Sequence, residues 1–373
     1  MTGSSQRWGG AASSTWAVAS LIAPNFAAVY DYPVPSFGLF ALARRRVDGR
    51  LLILAYHGVA QADEHEWRPK LFMSRETFQR RLACLRQWQV PVRPLGDGLS
   101  ELRRGAKAPY AVALTFDDGY HNFADLALPY LETAGAGATV YVCTYYSLHT
   151  GWPVFDLAVD YMFWKRPAGV VPGDLIGEAE PLTGATPVER ERSTARVYAC
   201  AERGKMGGAE KNSLGRTLAA HLDYPYEELV ERRTLSLMSG DELQRIVARG
   251  AAVGLHTHRH AILESPVGLR EEIAENRAAL TRLGVTPGTD FCYPSGEWAA
   301  DMWSILEREG IRSATTCEPG VVRADTPRYA LPRLLDTERT ADIEFEAWVC
   351  GFMPWLHDLT GRSPGQPAAA RQA

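Results

Sequence analysis

Along this chain, short runs of apolar residues alternate with longer stretches in which apolar positions recur every three or four residues. Leu51 to Tyr56 (LLILAY), Ala111 to Phe116 (AVALTF) and Ala138 to Thr144 are the clearest runs. Their near-continuous hydrophobicity predicts strands buried on both faces. Further strands are expected at Pro91 to Leu95, Ala251 to His256, Thr289 to Tyr293, Ile311 to Thr316 and Tyr329 to Leu335. Between them lie helical patterns. Ser74 should cap a helix reaching about Trp88, with Phe78, Leu82 and Leu85 on one face. Helices are also expected at Asp97 to Arg104 and at Phe123 to Ala134, the latter stopped by Gly135. Ser239 and Glu242 form a capping box for a helix ending at Gly250, and Pro266 to Leu283 carries Leu269, Ile273, Leu280 and Leu283 on one face. Trp298 to Glu309, stopped by Gly310, and Ala341 to Gly351 complete the series. Strand following helix following strand implies parallel pairing with crossover helices, and seven or eight such units imply a barrel whose functional residues lie at strand C-terminal ends.

The rhythm fails from Tyr145 to about Met238. This stretch opens with Tyr145, Tyr146, Trp152, Phe155, Tyr161, Phe163 and Trp164, passes through a Pro- and Gly-rich loop, and continues as charged amphipathic segments. It is too long for a loop within a compact domain and predicts an inserted, mostly helical subdomain. The resulting organisation is a mobile, barrel-wrapping segment over 1–50, a first barrel part over 51–144, an insertion and possible lid over 145–238, a second barrel part over 239–360 and a disordered tail over 361–373.

The formal charge of −4, from 40 basic and 44 acidic residues among 373, comes without a dense basic block. That argues against nucleic acid or an anionic membrane as partner. The six cysteines are scattered, with no Cys-x-x-Cys pair, which favours reduced thiols. The apolar span from Trp16 to Tyr30 is broken by Pro24 and Asn25, so neither a secretory signal nor a membrane helix is expected, and the reading is a cytoplasmic protein with oligomeric state left open.

Two strand ends carry the chemistry. Asp117 and Asp118 follow AVALTF directly, and Gly119 lets the chain turn. Adjacent buried carboxylates require a cation or hydrogen-bond donors, although an aspartate here could also simply cap the following helix. The second strand end is GLHTHRH, where His256 and His260 stand four apart, a spacing that lets two imidazoles meet one ion. Taken together, they suggest a His-His-Asp metal site with open positions. Oxygen and nitrogen donors suit one divalent ion, with zinc the default and cobalt, nickel or iron compatible.

TFDDGY (Thr115 to Tyr120), H-T-x-x-H (His256, Thr257, His260) and F-x-Y-P-x-G (Phe291, Tyr293, Pro294, Gly296) resemble the motifs of polysaccharide deacetylases of the NodB-homology, carbohydrate esterase family 4 type. The likeness spans Leu51 to Gly351 apart from the insertion. It implies an irregular (β/α)7 barrel of NodB type, and a metal-dependent hydrolase that removes an N-acetyl group from an amino sugar in a polysaccharide, lipid-linked glycan or small glycoconjugate. The resemblance further implies Asp118, His256 and His260 as metal ligands, Asp117 as general base, and the backbone N–H of Tyr293 as donor to the oxyanion, aimed by Pro294. Thr257 would orient a ligand or substrate, and His57, ending the first strand, would lie at the mouth.

Two positions depart from the family pattern. Where many relatives have an arginine paired with the general base, this chain has Cys292, which predicts a raised Asp117 pKa unless another group compensates. Where a late histidine is expected as general acid, the chain reads Leu331-Pro332-Arg333. His57, His121 or His258 could take that role, with His357 a remote alternative. Related scaffolds also cleave formyl, O-acetyl or cyclic amide groups, and the two departures admit a glycan-binding protein without turnover.

Overall fold

In the computed structural model, which describes residues 40, 42–43, 47–105, 108–261 and 265–360, the apolar runs become one parallel sheet of seven strands. In chain order these are β1 (Leu51–Tyr56), β2 (Ala111–Phe116), β3 (Ala138–Val142), β4 (Ala252–Leu255), β5 (Asp290–Cys292), β6 (Ser313–Thr315) and β7 (Leu334–Leu335), arranged in space as β6-β5-β4-β3-β2-β1-β7. β1 and β2 are buried along their whole length, as unalternated hydrophobic runs should be. Their in-register pairing sets Tyr56 opposite Phe116, so His57 and Asp117 leave adjacent strands at the same level. The sheet curls, and one short segment touches both of its edges: Leu334 pairs with Leu54 of β1, while Leu331 bridges to Thr315 of β6.

Crossover helices cover the outside of the curl. They include α1 (Arg75–Gln87), capped by Ser74 Oγ accepting from the Thr77 N–H, then α2 (Leu95–Arg104) and α3 (Leu128–Ala134). The expected helix at Phe123 to Ala134 opens instead with a wider π turn over Phe123–Ala127. The insertion contributes α4 (Phe155–Lys165), α5 (Pro187–Arg203), α6 (Gly208–His221) and α7 (Tyr226–Glu231), with a two-residue hairpin pairing Val170–Val171 with Leu182–Thr183. The barrel resumes with α8 (Gly240–Ala248), whose capping box at Ser239 and Glu242 is formed, followed by α9 (Pro266–Arg282), α10 (Trp303–Arg308), α11 (Asp342–Val349) and α12 (Phe352–Thr360).

Several boundaries differ from the sequence pattern. Pro91 to Leu95 makes a single bridge, Val92 to Val112, because Pro91 and Pro94 have no N–H for a ladder. The last strand shrinks to Leu334–Leu335, and α12 is an additional helix holding His357 against Trp348. The sequence-derived segments 1–39 and 361–373 lie outside the described residues.

The insertion has a hydrophobic core containing Phe155, Tyr161, Phe163, Leu182, Val197, Leu218 and Leu229, and that core also takes in Ala60, Trp67, Phe72, Tyr120 and Cys143 from the barrel. Both of its ends are tied to the barrel mouth: at the first, the Tyr145 N–H donates to the His258 carbonyl at 2.8 Å, and at the second, the His121 N–H donates to the Ser236 carbonyl and the Met238 N–H to the Gly119 carbonyl, each at 2.9 Å. No helix among the described residues is long and apolar enough to cross a membrane.

Candidate active site

Asp117 and Asp118 directly follow β2, where the backbone turns sharply. Asp118 has φ of 72° and Gly119 of 82°, so the two consecutive carboxylates point in different directions. Both side chains are buried. After β4 the chain makes a similar turn, with positive φ at Thr257 (62°) and His260 (56°). Thr257 Oγ1 accepts the Ala261 N–H at 3.2 Å, closing the loop that folds His260 back over His256. The two imidazole rings come to 4.9 Å between centroids.

His256 Nε2 lies 3.3 Å and His260 Nε2 3.5 Å from the same oxygen, Asp118 Oδ1. Metal–ligand bonds of about 2.1 Å at tetrahedral angles separate ligand atoms by about 3.4 Å, so these three donors match the edges of a tetrahedral site. His256 Nδ1 is 2.8 Å from the Cys292 carbonyl oxygen, which can only accept, so Nδ1 carries the hydrogen. Burial would lower the His256 pKa, but Cys292 and Asp118 hold it above its ordinary value, so a metal ion bound at Nε2 would take the place of a second proton. Asp118 Oδ1 is buried and makes no hydrogen bond of normal geometry among the described residues. Donor atoms this close in a buried place call for one positive charge among them, a proton on His256 or a metal ion in its stead. Burial would raise the Asp118 pKa, but the two histidines hold it below the ordinary value. Burial lowers His260 to about 4, which leaves it a neutral donor near pH 7.

Two other clusters of potential ligands lack this character. Asp117, His256 and Cys292 lie close together, and so do His121, Asp125 and Glu242. In the first, both Asp117 oxygens already receive a guanidinium. In the second, Glu242 is bonded by His121 and Arg233, and Asp125 by Arg245. Cations already present disfavour a further one. Asp118, His256 and His260 therefore fit a divalent metal best.

The guanidinium on Asp117 belongs to Arg333. Its Nη1 donates to Oδ1 at 2.7 Å and its Nη2 to Oδ2 at 2.8 Å, a two-point pair between fully buried groups. Arg333 is held by the Thr316 carbonyl at Nε (2.8 Å) and by Thr115 Oγ1 (3.2 Å), and its Nη2 lies 3.1 Å from Cys292 Sγ. The expectation drawn from Cys292, of a base without a cation and with a raised pKa, is therefore corrected. Burial alone would raise Asp117, yet Arg333 holds it far below the usual carboxylate range. The thiol at 292 leaves room for an arginine arriving from the neighbouring segment. A signal was present in ALPRLL, since an arginine inside an apolar run must find a buried partner.

Tyr293 also departs from expectation. Its N–H donates to the Thr315 carbonyl at 3.2 Å within the sheet, and its hydroxyl to the Tyr329 carbonyl, so this amide is committed to the fold instead of facing an oxyanion. Buried Pro294 begins a turn that continues through exposed Ser295 and partly buried Gly296, both at positive φ, with Gly296 packed against Cys317.

The histidines divide clearly. His121 Nδ1 meets Glu242 at 2.9 Å, and His258 Nδ1 meets Thr144 Oγ1 at 2.8 Å. Both serve the barrel rim. His57 is half-buried, its Nδ1 has no hydrogen-bond partner among the described residues, and it lies near enough to Asp117, Asp118 and His260 to influence them electrostatically. Two supports escaped the sequence reading. On α9, Asn276 accepts the His256 N–H and donates to the Val142 carbonyl and Thr144 Oγ1, tying the ends of β3 and β4. One turn earlier, Glu272 accepts the N–H groups of His258 and Arg259.

The polysaccharide deacetylase family matches this chain over residues 104–160 and 216–314, the two stretches that carry the Asp-Asp and His-x-x-x-His turns. These two segments, less than half of the chain, carry its likeness to that family. The gap between them coincides with most of the insertion. The fold is similar to that of the Streptococcus pyogenes deacetylase PplD, solved in complex with acetate, at 16% identity over 80% of this chain and 97% of that one, with a TM-score of 0.51. It is equally similar to IcaB from Ammonifex degensii, at 19% identity over 81% and 97% of the two chains, with a TM-score of 0.51. No curated protein matches the chain.

Proposed function

We propose that this protein is a metal-dependent hydrolase of the polysaccharide deacetylase family that removes N-acetyl groups from amino sugars of a glycan. The observation that carries the reading is a carboxylate held ionised by a buried arginine, directly beside a cluster of two imidazoles and a carboxylate suited to a divalent ion. A pure glycan binder has no use for that pairing. The case for such a binder rested on a missing arginine, and Arg333 takes its place beside Asp117.

Asp118, His256 and His260 would hold the metal, whose contribution when bound is to acidify water and draw charge from the carbonyl. Asp117 stays anionic and orients the attacking water. Arg333 occupies one lone pair on each carboxylate oxygen, and a second lone pair on each remains to accept a proton. Water oxygen bonds to the acetyl carbon, one of its protons passes to Asp117, and the C–N bond breaks with its electron pair going to nitrogen. The departing amine then needs a proton. Of the three histidines weighed for that role at the barrel mouth, His57 alone has a ring nitrogen, Nδ1, left without a hydrogen-bond partner among the described residues, and we assign it that donation.

Acetate release from N-acetylglucosamine oligomers, measured on protein depleted of metal and then reloaded with zinc, cobalt, nickel or iron, tests the reading. Restoration of acetate release by a stoichiometric divalent ion is expected. Equal release with and without metal, or none under any loading, would overturn it.

A further inference from the structure

Seven aromatic residues open the insertion, and the structure separates them into two groups. Phe155, Tyr161 and Phe163 are buried in the insertion core, with Tyr146 and Trp164 packed against it. Tyr145 and Trp152 belong to no hydrophobic cluster among the described residues, and both are partly exposed. Partly exposed aromatic rings outside any core are poor packing units, and their positions require another account.

They are joined through His149 into a fixed row. The Tyr145 and His149 rings lie 5.0 Å apart, and His149 stacks on Trp152 at 4.8 Å with 6° between planes. The backbone sets the row in place. The Tyr145 N–H donates to the His258 carbonyl at 2.8 Å, and the Trp152 N–H to the His149 carbonyl at 3.1 Å. His149 Nδ1 lies 2.8 Å from the Tyr145 carbonyl and must donate to it, which leaves Nε2 as an acceptor. Gly208 closes against the same rings, since a Cβ there would lie 2.4 Å from Trp152. The row begins at the metal-site loop: the Tyr145 ring meets His258 edge-on at 5.8 Å, and His258 lies midway in sequence between His256 and His260. At the same rim, Arg259 and Glu275 form an ion pair at 2.5 Å with both side chains about half exposed.

We propose that Tyr145, His149 and Trp152 form a binding platform for a pyranose ring next to the reacting residue of a glycan chain. A sugar ring has an apolar C–H face and a rim of hydroxyls. The aromatic edges and faces suit the first, while His149 Nε2, the Tyr145 hydroxyl and the Arg259–Glu275 pair suit the second. The proposal rests on the deacetylase reading for the nature of its ligand, and it goes beyond that reading in naming the residues of the insertion that hold the sugar next to the reacting one.

The test uses the full chain carrying Asp117→Asn, loaded with zinc and titrated calorimetrically with β-1,4- and β-1,6-linked tetramers of N-acetylglucosamine and with the monomer. At least one tetramer should bind more tightly than the monomer, and adding Trp152→Ala should weaken the tetramer by about tenfold or more while leaving the monomer unchanged. Trp152→Phe should recover most of the loss, which separates stacking from misfolding. In the active chain, Trp152→Ala should raise KM for the tetramer with little change in kcat, and should leave hydrolysis of a small aryl acetate unchanged. Tetramer binding equal in the Trp152 variants, equal loss on tetramer and monomer, or failure of both tetramers to bind would overturn the platform. Failure of the hydrolase reading would look different, as tetramer binding that depends on Trp152 without any acetate release.

Discussion

At the residue scale the decisive contact is the Asp117–Arg333 pair, and it reverses the expected behaviour of Cys292. With a guanidinium already on Asp117 and its Nη2 only 3.1 Å from Cys292 Sγ, Cys292→Arg should place a second buried cation against the first and lower the melting temperature. The double variant Cys292→Arg, Arg333→Met should recover stability if one cation at this spot is what the fold requires, and thermal unfolding of the three proteins checks it. Arg333→Met alone removes the group that lowers Asp117 and leaves burial, which raises it. The acidic limb of the rate profile should therefore move to higher pH, with a stability loss of about 3–5 kcal/mol for a buried charge left unpaired. An unmoved limb in a folded variant would detach Arg333 from the base. Asp117→Asn should retain metal and lose turnover by roughly two to four orders of magnitude. Asp118→Ala, His256→Ala and His260→Ala should lose metal and activity together, read by metal analysis of the purified proteins.

Among the elements, α9 and the insertion matter most. Asn276 links the ends of β3 and β4 from α9, with its side chain fully buried. Asn276→Ala should weaken metal binding by about 10–100-fold, the usual scale for a group that orients a ligand, and competition with a chelator measures it. His256 and His260 were legible in the sequence because they share one turn. Asn276 and Glu272 were not, since they arrive from a helix whose register against the strands is set by packing. The insertion was legible as a break in rhythm, and its first aromatics pointed equally to a core or a platform. Its core incorporates Trp67, Phe72 and Tyr120 of the barrel, so replacing it by a short linker would expose large apolar side chains beside Asp118. Such a truncation should lower the melting temperature markedly, and we expect the metal site to loosen with it, an outcome that a separable lid would not give.

For the whole molecule, acid should be the sensitive direction. Asp117 and Glu242 are both held below their ordinary values, by Arg333 in one case and by His121 and Arg233 in the other, against the opposing effect of burial. Lowered folded-state pKa values stabilise above the unfolded values of 3.8 and 4.5, and that stabilisation is lost as pH falls through them toward the folded values. Stability should thus change little between pH 6 and 8 on their account and fall steeply below about pH 4. Denaturant unfolding across this range should show the drop, reduced in Asp117→Asn.

What the sequence determined by itself were the features written in consecutive residues. Strand and helix order follows from apolar periodicity, the chain reversals after β2 and β4 follow from short polar turns, and the donors at Asp118, His256 and His260 follow from motifs within single loops. Tertiary structure alone decided which cation reached Asp117, that the Tyr293 N–H was taken by Thr315, which histidine was left without a structural partner, and which insertion aromatics stayed outside the core. The physical reason is common to all four. Each depends on a contact between segments far apart in the chain, where curvature of the sheet and competition for buried hydrogen bonds choose the partner, and neither is encoded in local spacing.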